Sequence, residues 1–242
     1  MDGSVPDTAG VPDGERPIRF DTASYQRLLQ RLLDAGRTFV GFDDREDGVV
    51  IHHDVELSPR RALAMARLET TFRIGSTYCV PLDSPMYDAS TVAFERFVRT
   101  LSQLGHDVGL QFDPAAHWMD PPTEDELRER IDAERAVLRR LIGHPVDVVS
   151  FRNPTERLRT LELPGGINAC CPPADDPSYR CVDDREWRNG DPFTNGIPAR
   201  FRLLVHPGLW HPEERTEADA VDDRRRAARR EVASYFDAFD VE

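Results

Sequence analysis

The sequence predicts an α/β fold in which parallel strands are joined by crossover helices and the repeated units curl toward a barrel. Two observations predict it. Short apolar runs alternate with long amphipathic stretches along most of the chain, the pattern that parallel strands and their covering helices produce. There are also more such units than a small open sheet needs in a single domain, which favours a barrel.

Each element can be argued in order. Tyr25, Leu28, Leu29, Leu32 and Leu33 fall on one face of a helix; Asp21 or Thr22 is placed to cap it and Gly36 to end it. A strand is predicted at Thr38–Phe42. A turn at Asp43–Gly48 then leads to the strand Val49–Ile51, which runs straight into His52, His53 and Asp54. Ser58-Pro59 opens a helix through Ala62, Leu63, Ala66 and Leu68 to about Thr71, because proline fits the first helical turn. Gly75–Val80 reads as a strand, Val92–Leu104 as a helix and His106–Phe112 as a strand. A helix follows at Thr123–Leu141, with Thr123 and Glu126 in capping-box spacing, and then the strand Val146–Phe151. Beyond Asn153 the helical pattern fades into a Pro-, Gly- and Asp-rich stretch that lasts to Asn195. Arg200–Val205 is the last predicted strand and Ala218–Phe239 a closing charged helix. Residues 1–16 read as a flexible acidic tail and 17–242 as one domain.

Composition excludes several functions. The 242 residues carry 31 basic and 44 acidic side chains, a formal net charge of −13, so neither nucleic acid nor an anionic membrane surface is an expected partner. No apolar run reaches the roughly 18 residues of a membrane span. The amino-terminal residues have neither the basic start nor the apolar centre of an export signal, so the expected location is the cytoplasm. Every basic residue is Arg and none is Lys. An acidic, Lys-free surface suits a cell of high internal salt, where a Debye length of about 3 Å at 1 M mutes repulsion; Arg-rich codon usage explains the same count. Cys79, Cys170, Cys171 and Cys181 lack the paired spacing of a closed zinc site and read as small thiols in a reducing compartment.

In parallel α/β folds the functional groups gather where strands end. Here those ends carry His53 and Asp54, then Gln111, Asp113 and His117, then Arg152, then His206. A carboxylate with neutral imidazoles suits a borderline divalent ion such as zinc. Such an ion activates water and polarises an acyl oxygen, while a histidine outside its sphere can protonate the leaving group. Tyr78, Trp118, Tyr179, Trp187 and Trp210 lie near these ends, to stack on sugar rings or to close the barrel mouth as buried aromatics. His211 reads as a surface residue, and His106 and His144 as turn residues.

The segments Ile51-His-His-Asp-Val-Glu-Leu-Ser-Pro59, Ile74-Gly-Ser-Thr-Tyr78, Gly105-His-Asp-Val-Gly-Leu110, Ser150-Phe-Arg-Asn-Pro154 and Leu203-Leu-Val-His-Pro207 occur in that order. Together they resemble the polysaccharide deacetylase superfamily, the NodB-like carbohydrate esterases of family four, in a divergent branch with a His-Asp-Val first motif. The resemblance covers about residues 20–212. It implies a distorted (β/α) barrel of about seven strands and metal-dependent removal of acetyl groups from a carbohydrate or glycoconjugate.

Carried over by position, the resemblance makes Asp54 the metal-binding aspartate and puts His53 in the place of the catalytic base. Gln111 stands where the first metal-binding histidine belongs, with His117 the nearest candidate for the second. Arg152 corresponds to the arginine that orients the base, Asp183 with Trp187 to the motif that buttresses the site, and His206 to the general acid. Trp187, Trp210 and Tyr78 are the candidate sugar-binding aromatics. The implied cofactor is a divalent metal, zinc first. A neutral amide is a poorer zinc ligand than imidazole, so Gln111 also supports a second reading: a degenerate relative that binds carbohydrate without hydrolysing it.

Overall fold

The computed structural model of the protein describes residues 19–44, 47–170, 179–213 and 217–237. The predicted tail and Cys171 lie outside these. Helix α1 (Thr22–Asp34) starts where Asp21 accepts the backbone N–H of Ser24, and it buries Tyr25, Leu28, Leu29 and Leu32. Strand β1 (Val49–Asp54) is buried along its whole length. Helix α2 (Pro59–Thr71) is capped by Ser58. Strand β2 (Thr77–Val80), α3 (Val92–Gln103) and β3 (Asp107–Phe112) follow. Helix α4 (Glu124–Ile142) opens with the Thr123–Glu126 capping box and ends at Gly143 in the left-handed conformation, which glycine adopts without steric cost. The remaining elements are β4 (Val148–Phe151), α5 (Glu156–Arg159), β5 (Ile167–Asn168), β6 (Arg180–Asp183), β7 (Phe201–Val205) and α6 (Glu217–Asp237).

All seven strands are parallel and lie in the order β5-β4-β3-β2-β1-β7-β6. The sheet is strongly curled. Flat strands about 4.8 Å apart would hold β1 and β4, three places away, about 14 Å from each other. Instead, Ser150 Oγ on β4 donates to Asp54 Oδ2 on β1 at 3.2 Å. The described strands form a curled half-barrel, consistent with the distorted (β/α) barrel of about seven strands expected from the sequence.

Two expectations need correction. Thr38–Phe42 is not a strand; only Phe39 bridges to Val49. At Val49 one edge of β1 already carries β7, and β2 takes the other from His52 onward, so the edge left to this segment runs only from Val49 to Ile51. Conversely, β5 and β6 went unforeseen. The first has two residues, too few for periodicity, and the second is half exposed, so it lacks the apolar alternation that marks a strand.

Side chains alternate across the curled sheet. On the convex face one apolar cluster lies under α2, α3 and α4, with Tyr78, Val80, Leu110, Phe112 and Phe151. A second lies under α1, with Val49, Ile51, Trp187, Phe201, Leu203, Val205 and Trp210. The concave face carries His52, Asp54, Cys79, Gln111, Ser150 and Arg202, all buried. A row of buried polar groups is costly unless it is paired or put to use, and this row marks the candidate site.

Candidate active site at the concave face

Asp54 ends β1. One carboxylate oxygen accepts from Ser150, while Oδ1 is buried with no hydrogen-bond partner. Burial pushes its pKa up, but His52, His206 and the Ser150 hydroxyl outweigh that and hold it below the ordinary carboxylate value. His52 lies two residues back on the same face, with Nε2 3.0 Å from Asp54 Oδ1. That contact lacks hydrogen-bond alignment, and both ring nitrogens are without a partner. Burial lowers the His52 pKa further than Asp54 raises it, which favours the neutral imidazole.

Opposite Asp54, His206 follows β7. Its ring Nδ1 lies 2.6 Å from Asp184 Oδ1 and its backbone N–H donates to Asp184 Oδ2 at 2.8 Å. Trp210 Nε1 donates to the same oxygen at 2.8 Å. Burial disfavours the imidazolium, yet Asp184 and then Asp54 outweigh it and raise the His206 pKa to about 9. Asp54, Glu56 and His206 each offer a ligand atom within 4.8 Å of the others. Glu56 is anchored from two sides, by Gln111 Nε2 at 3.1 Å and by Arg185 at 2.7 Å. A shallow cleft opens beside it, bordered by Gln111, Asp113, Arg152, Pro81 and Met86.

The structure thus brings Asp54, Gln111 and His206 together, with Arg152 at the rim, half exposed and 3.3 Å from Asp113. Six other predicted site residues are corrected. His53, one residue from Asp54, points to the opposite face of β1; it is buried, stacks on Tyr78 with ring centroids 4.1 Å apart, and lies 2.7 Å from Glu69. It is a core histidine, not a base facing Asp54. His117 joins a different cluster, 3.0 Å from Asp83 and 2.9 Å from Glu134, because the turn after β3 carries its ring over α4. Asp183 is 3.7 Å from His206 Nδ1 and caps the following turn; the residue that holds His206 is its neighbour Asp184. Tyr78 is fully buried and donates to Glu69 at 2.8 Å. Trp187 and Trp210 pack edge to face in the core under α1, so none of the three aromatics is open to a sugar. Two minor readings also change: His211 is buried with Nδ1 2.8 Å from Arg61, and His106 is buried against Ser76.

Three structurally central carboxylates escaped sequence reasoning. Glu56 was legible in principle, since it lies two residues beyond Asp54. Glu69 also had a signal, sitting on the buried stripe of α2 with Ala62, Met65 and Ala66. Asp184 had none beyond its place in an Asp-Asp pair.

The residues fit a divalent cation. Unpartnered buried nitrogen and oxygen atoms on His52 and Asp54 lie beside Cys79, and all three offer ligand atoms within 4.8 Å of one another.

Compared with known proteins, the sequence matches no family model and no curated protein sequence. The structure is similar to a CE4 family pseudoenzyme from Bacillus anthracis, with 13% identity over 77% of this chain and 62% of that one and a TM-score of 0.46. The chain therefore spans less than two thirds of that protein's length. It is also similar to a family 4 acetyl xylan esterase from Clostridium thermocellum in complex with a cobalt ion, with 14% identity over 76% of this chain and 84% of that one and a TM-score of 0.45. A peptidoglycan deacetylase from Bacillus subtilis gives 15% identity, 77% and 85% coverage and a TM-score of 0.44. The chain is thus similar in structure to family 4 carbohydrate esterases, at identities and TM-scores too low for that likeness to carry over an activity.

Proposed function

We propose that the protein is a metal-dependent hydrolase that removes an acetyl or other acyl group from a sugar or glycoconjugate. The observation that carries this reading is the His206–Asp184 pair beside the buried Asp54 carboxylate, with Glu56 of the same group bordering a cleft. Asp54 anchors the cation, zinc being the first candidate. When bound, such an ion supplies Lewis acidity toward water and toward an acyl oxygen.

The chain's own residues do the rest. Asp184 fixes the His206 ring through Nδ1, leaving Nε2 to carry a proton. That proton goes to the leaving nitrogen or oxygen as its bond to the acyl carbon breaks. His53 is turned away, so Glu56 is the carboxylate left to take the proton of the attacking water; Gln111 and Arg185 hold it in place. Arg152 at the rim is placed to meet the polar groups of a sugar.

One observation favours the second reading, carbohydrate binding without hydrolysis: the Gln111 side chain is tied to Glu56, a neutral amide at a position where imidazole would bind metal. One experiment separates the two. Metal content and acetate release from N-acetylated and O-acetylated oligosaccharides are measured for the wild type, Asp54→Asn, His206→Gln and Gln111→His. Hydrolysis predicts metal and acetate in the wild type, with acetate lost in Asp54→Asn and His206→Gln. Metal gained only in Gln111→His selects the binding reading.

A further inference from the structure

Two strands place a thiol next to Asp54. Parallel pairing of β1 with β2 sets Asp54 directly beside Cys79, with His52 one alternation earlier on the same face. All three side chains are buried: His52 is 1% exposed, Asp54 6% and Cys79 0%. We propose that His52, Asp54 and Cys79 are the protein ligands of the cation, making the site a mixed nitrogen, oxygen and sulfur centre selective for zinc-like ions. This rests on the metal-dependent reading above and names its ligands.

Four observations support it. First, two polar atoms that meet here, Nε2 of His52 and Oδ1 of Asp54, are buried without hydrogen-bond partners. Each such atom costs roughly 1–3 kcal/mol if left unsatisfied. Second, His52 Nε2 and Asp54 Oδ1 are 3.0 Å apart yet not aligned as donor and acceptor. Two atoms that each lie about 2.0–2.2 Å from one ion can stand this close, at an angle of roughly 90° rather than the wider tetrahedral one. Third, the other oxygen of Asp54 is occupied by Ser150, so the carboxylate presents one atom to the group. Fourth, the surroundings are shaped around the thiol. A Cβ at Gly109 would come within 2.6 Å of Cys79 Sγ, and Phe42 sets its edge against the His52 ring at 5.7 Å.

Three protein ligands with one position left open is the arrangement of catalytic zinc sites. Asp54 also belongs to the group with Glu56 and His206, so a cation held by His52, Asp54 and Cys79 would lie next to the residues assigned to proton transfer. A thiolate ligand selects against magnesium and calcium, which prefer oxygen. Coordination would hold the Cys79 sulfur as the thiolate.

The test uses the full chain, stripped with a chelator and titrated with cobalt(II). One equivalent is expected to bind with a near-ultraviolet thiolate-to-cobalt charge-transfer band. Cys79→Ser is expected to abolish the band, and His52→Gln to weaken binding at least ~10-fold, in line with loss of a metal-ligand interaction. X-ray absorption on the zinc-loaded wild type needs no variant: one sulfur at about 2.3 Å is expected. A shell of nitrogen and oxygen alone, with binding still lost in Asp54→Asn, overturns this ligand set while leaving the hydrolase reading intact. Binding abolished by His117→Ala but not by Cys79→Ser places the ion at the Asp83–His117–Glu134 cluster and also overturns it. A wild type that binds no cobalt and no zinc overturns both.

Discussion

Glu69 is the buried carboxylate on which the convex face of the fold turns, and replacing it by glutamine gives a sharp test. Its oxygens accept from the hydroxyls of Tyr25, Ser76 and Tyr78 and lie 2.7 Å from His53 Nε2. These groups come from α1, β1 and β2 and from the turn before β2, so one side chain ties four segments together. Burial alone would raise its pKa; His53, Ser76 and Tyr25 reverse that and bring it from 4.5 to about 2. A depressed carboxylate contributes stability that is fully present above the unfolded value and is lost as pH falls toward the folded one. For this shift the contribution is about 3 kcal/mol. Glutamine keeps the shape but turns one acceptor into a donor facing donors. Glu69→Gln should therefore lose about 3–5 kcal/mol at pH 7, the range for breaking a buried pair. Urea unfolding followed by the fluorescence of the buried Trp187 and Trp210 reads this directly. The gap between variant and wild type should narrow by about 1 kcal/mol at about pH 3.5, because only the wild type still titrates there. A penalty under about 1 kcal/mol at neutral pH, or one that does not change on acidification, would refute the reasoning.

Three further outcomes are expected. Gly109→Ala places a methyl group 2.6 Å from Cys79 Sγ and 2.9 Å from the Val148 carbonyl. Backbone on β4 yields little, so a loss of about 1–3 kcal/mol in urea unfolding is expected, and an unchanged midpoint would contradict the close approach of β2, β3 and β4. Arg135 is buried on α4 and donates to Val146 O at 2.6 Å, Gly165 O at 2.5 Å, Asp132 at 3.0 Å and Asp147 at 3.1 Å. Arg135→Lys cannot span those four acceptors from one nitrogen and should lower stability by about 2–4 kcal/mol; calorimetry showing a melting temperature equal to wild type would count against this bracing. With a net charge of −13, the folded chain should melt at higher temperature as sodium chloride is raised from about 0.1 M to about 1 M, where the Debye length shrinks from about 10 Å to about 3 Å. A melting temperature that stays level or falls across that range would argue against charge repulsion as a limit on stability.

Much of the fold was legible because its signals are local. The stripe of Tyr25, Leu28, Leu29 and Leu32, the Asp21 cap and the Thr123–Glu126 capping box are read within one or two helical turns, and the structure has all of them. The site was legible only in part. Asp54 and His206 end apolar strands, and loops after strand ends converge in any parallel α/β fold. His53 could not be told from His52 by pattern, since Val49, Val50 and Ile51 are apolar on both faces and leave the alternation silent. Asp183 and Asp184 are chemically identical neighbours; only the turn that follows β6 decides which reaches His206.

By itself, then, the sequence determined where helices and most strands lie, that the strands run parallel, and which short segments carry the polar chemistry. Tertiary structure decided which face of β1 became concave, how far the sheet curls to bring Ser150 to Asp54, and that Cys79 rather than His117 stands beside that carboxylate. The physical reason is range. Caps and periodicities are set by residues a few positions apart, whereas curl and strand neighbourhood arise from packing across the whole sheet, in contacts between residues nearly a hundred positions apart, as with Asp54 and Ser150.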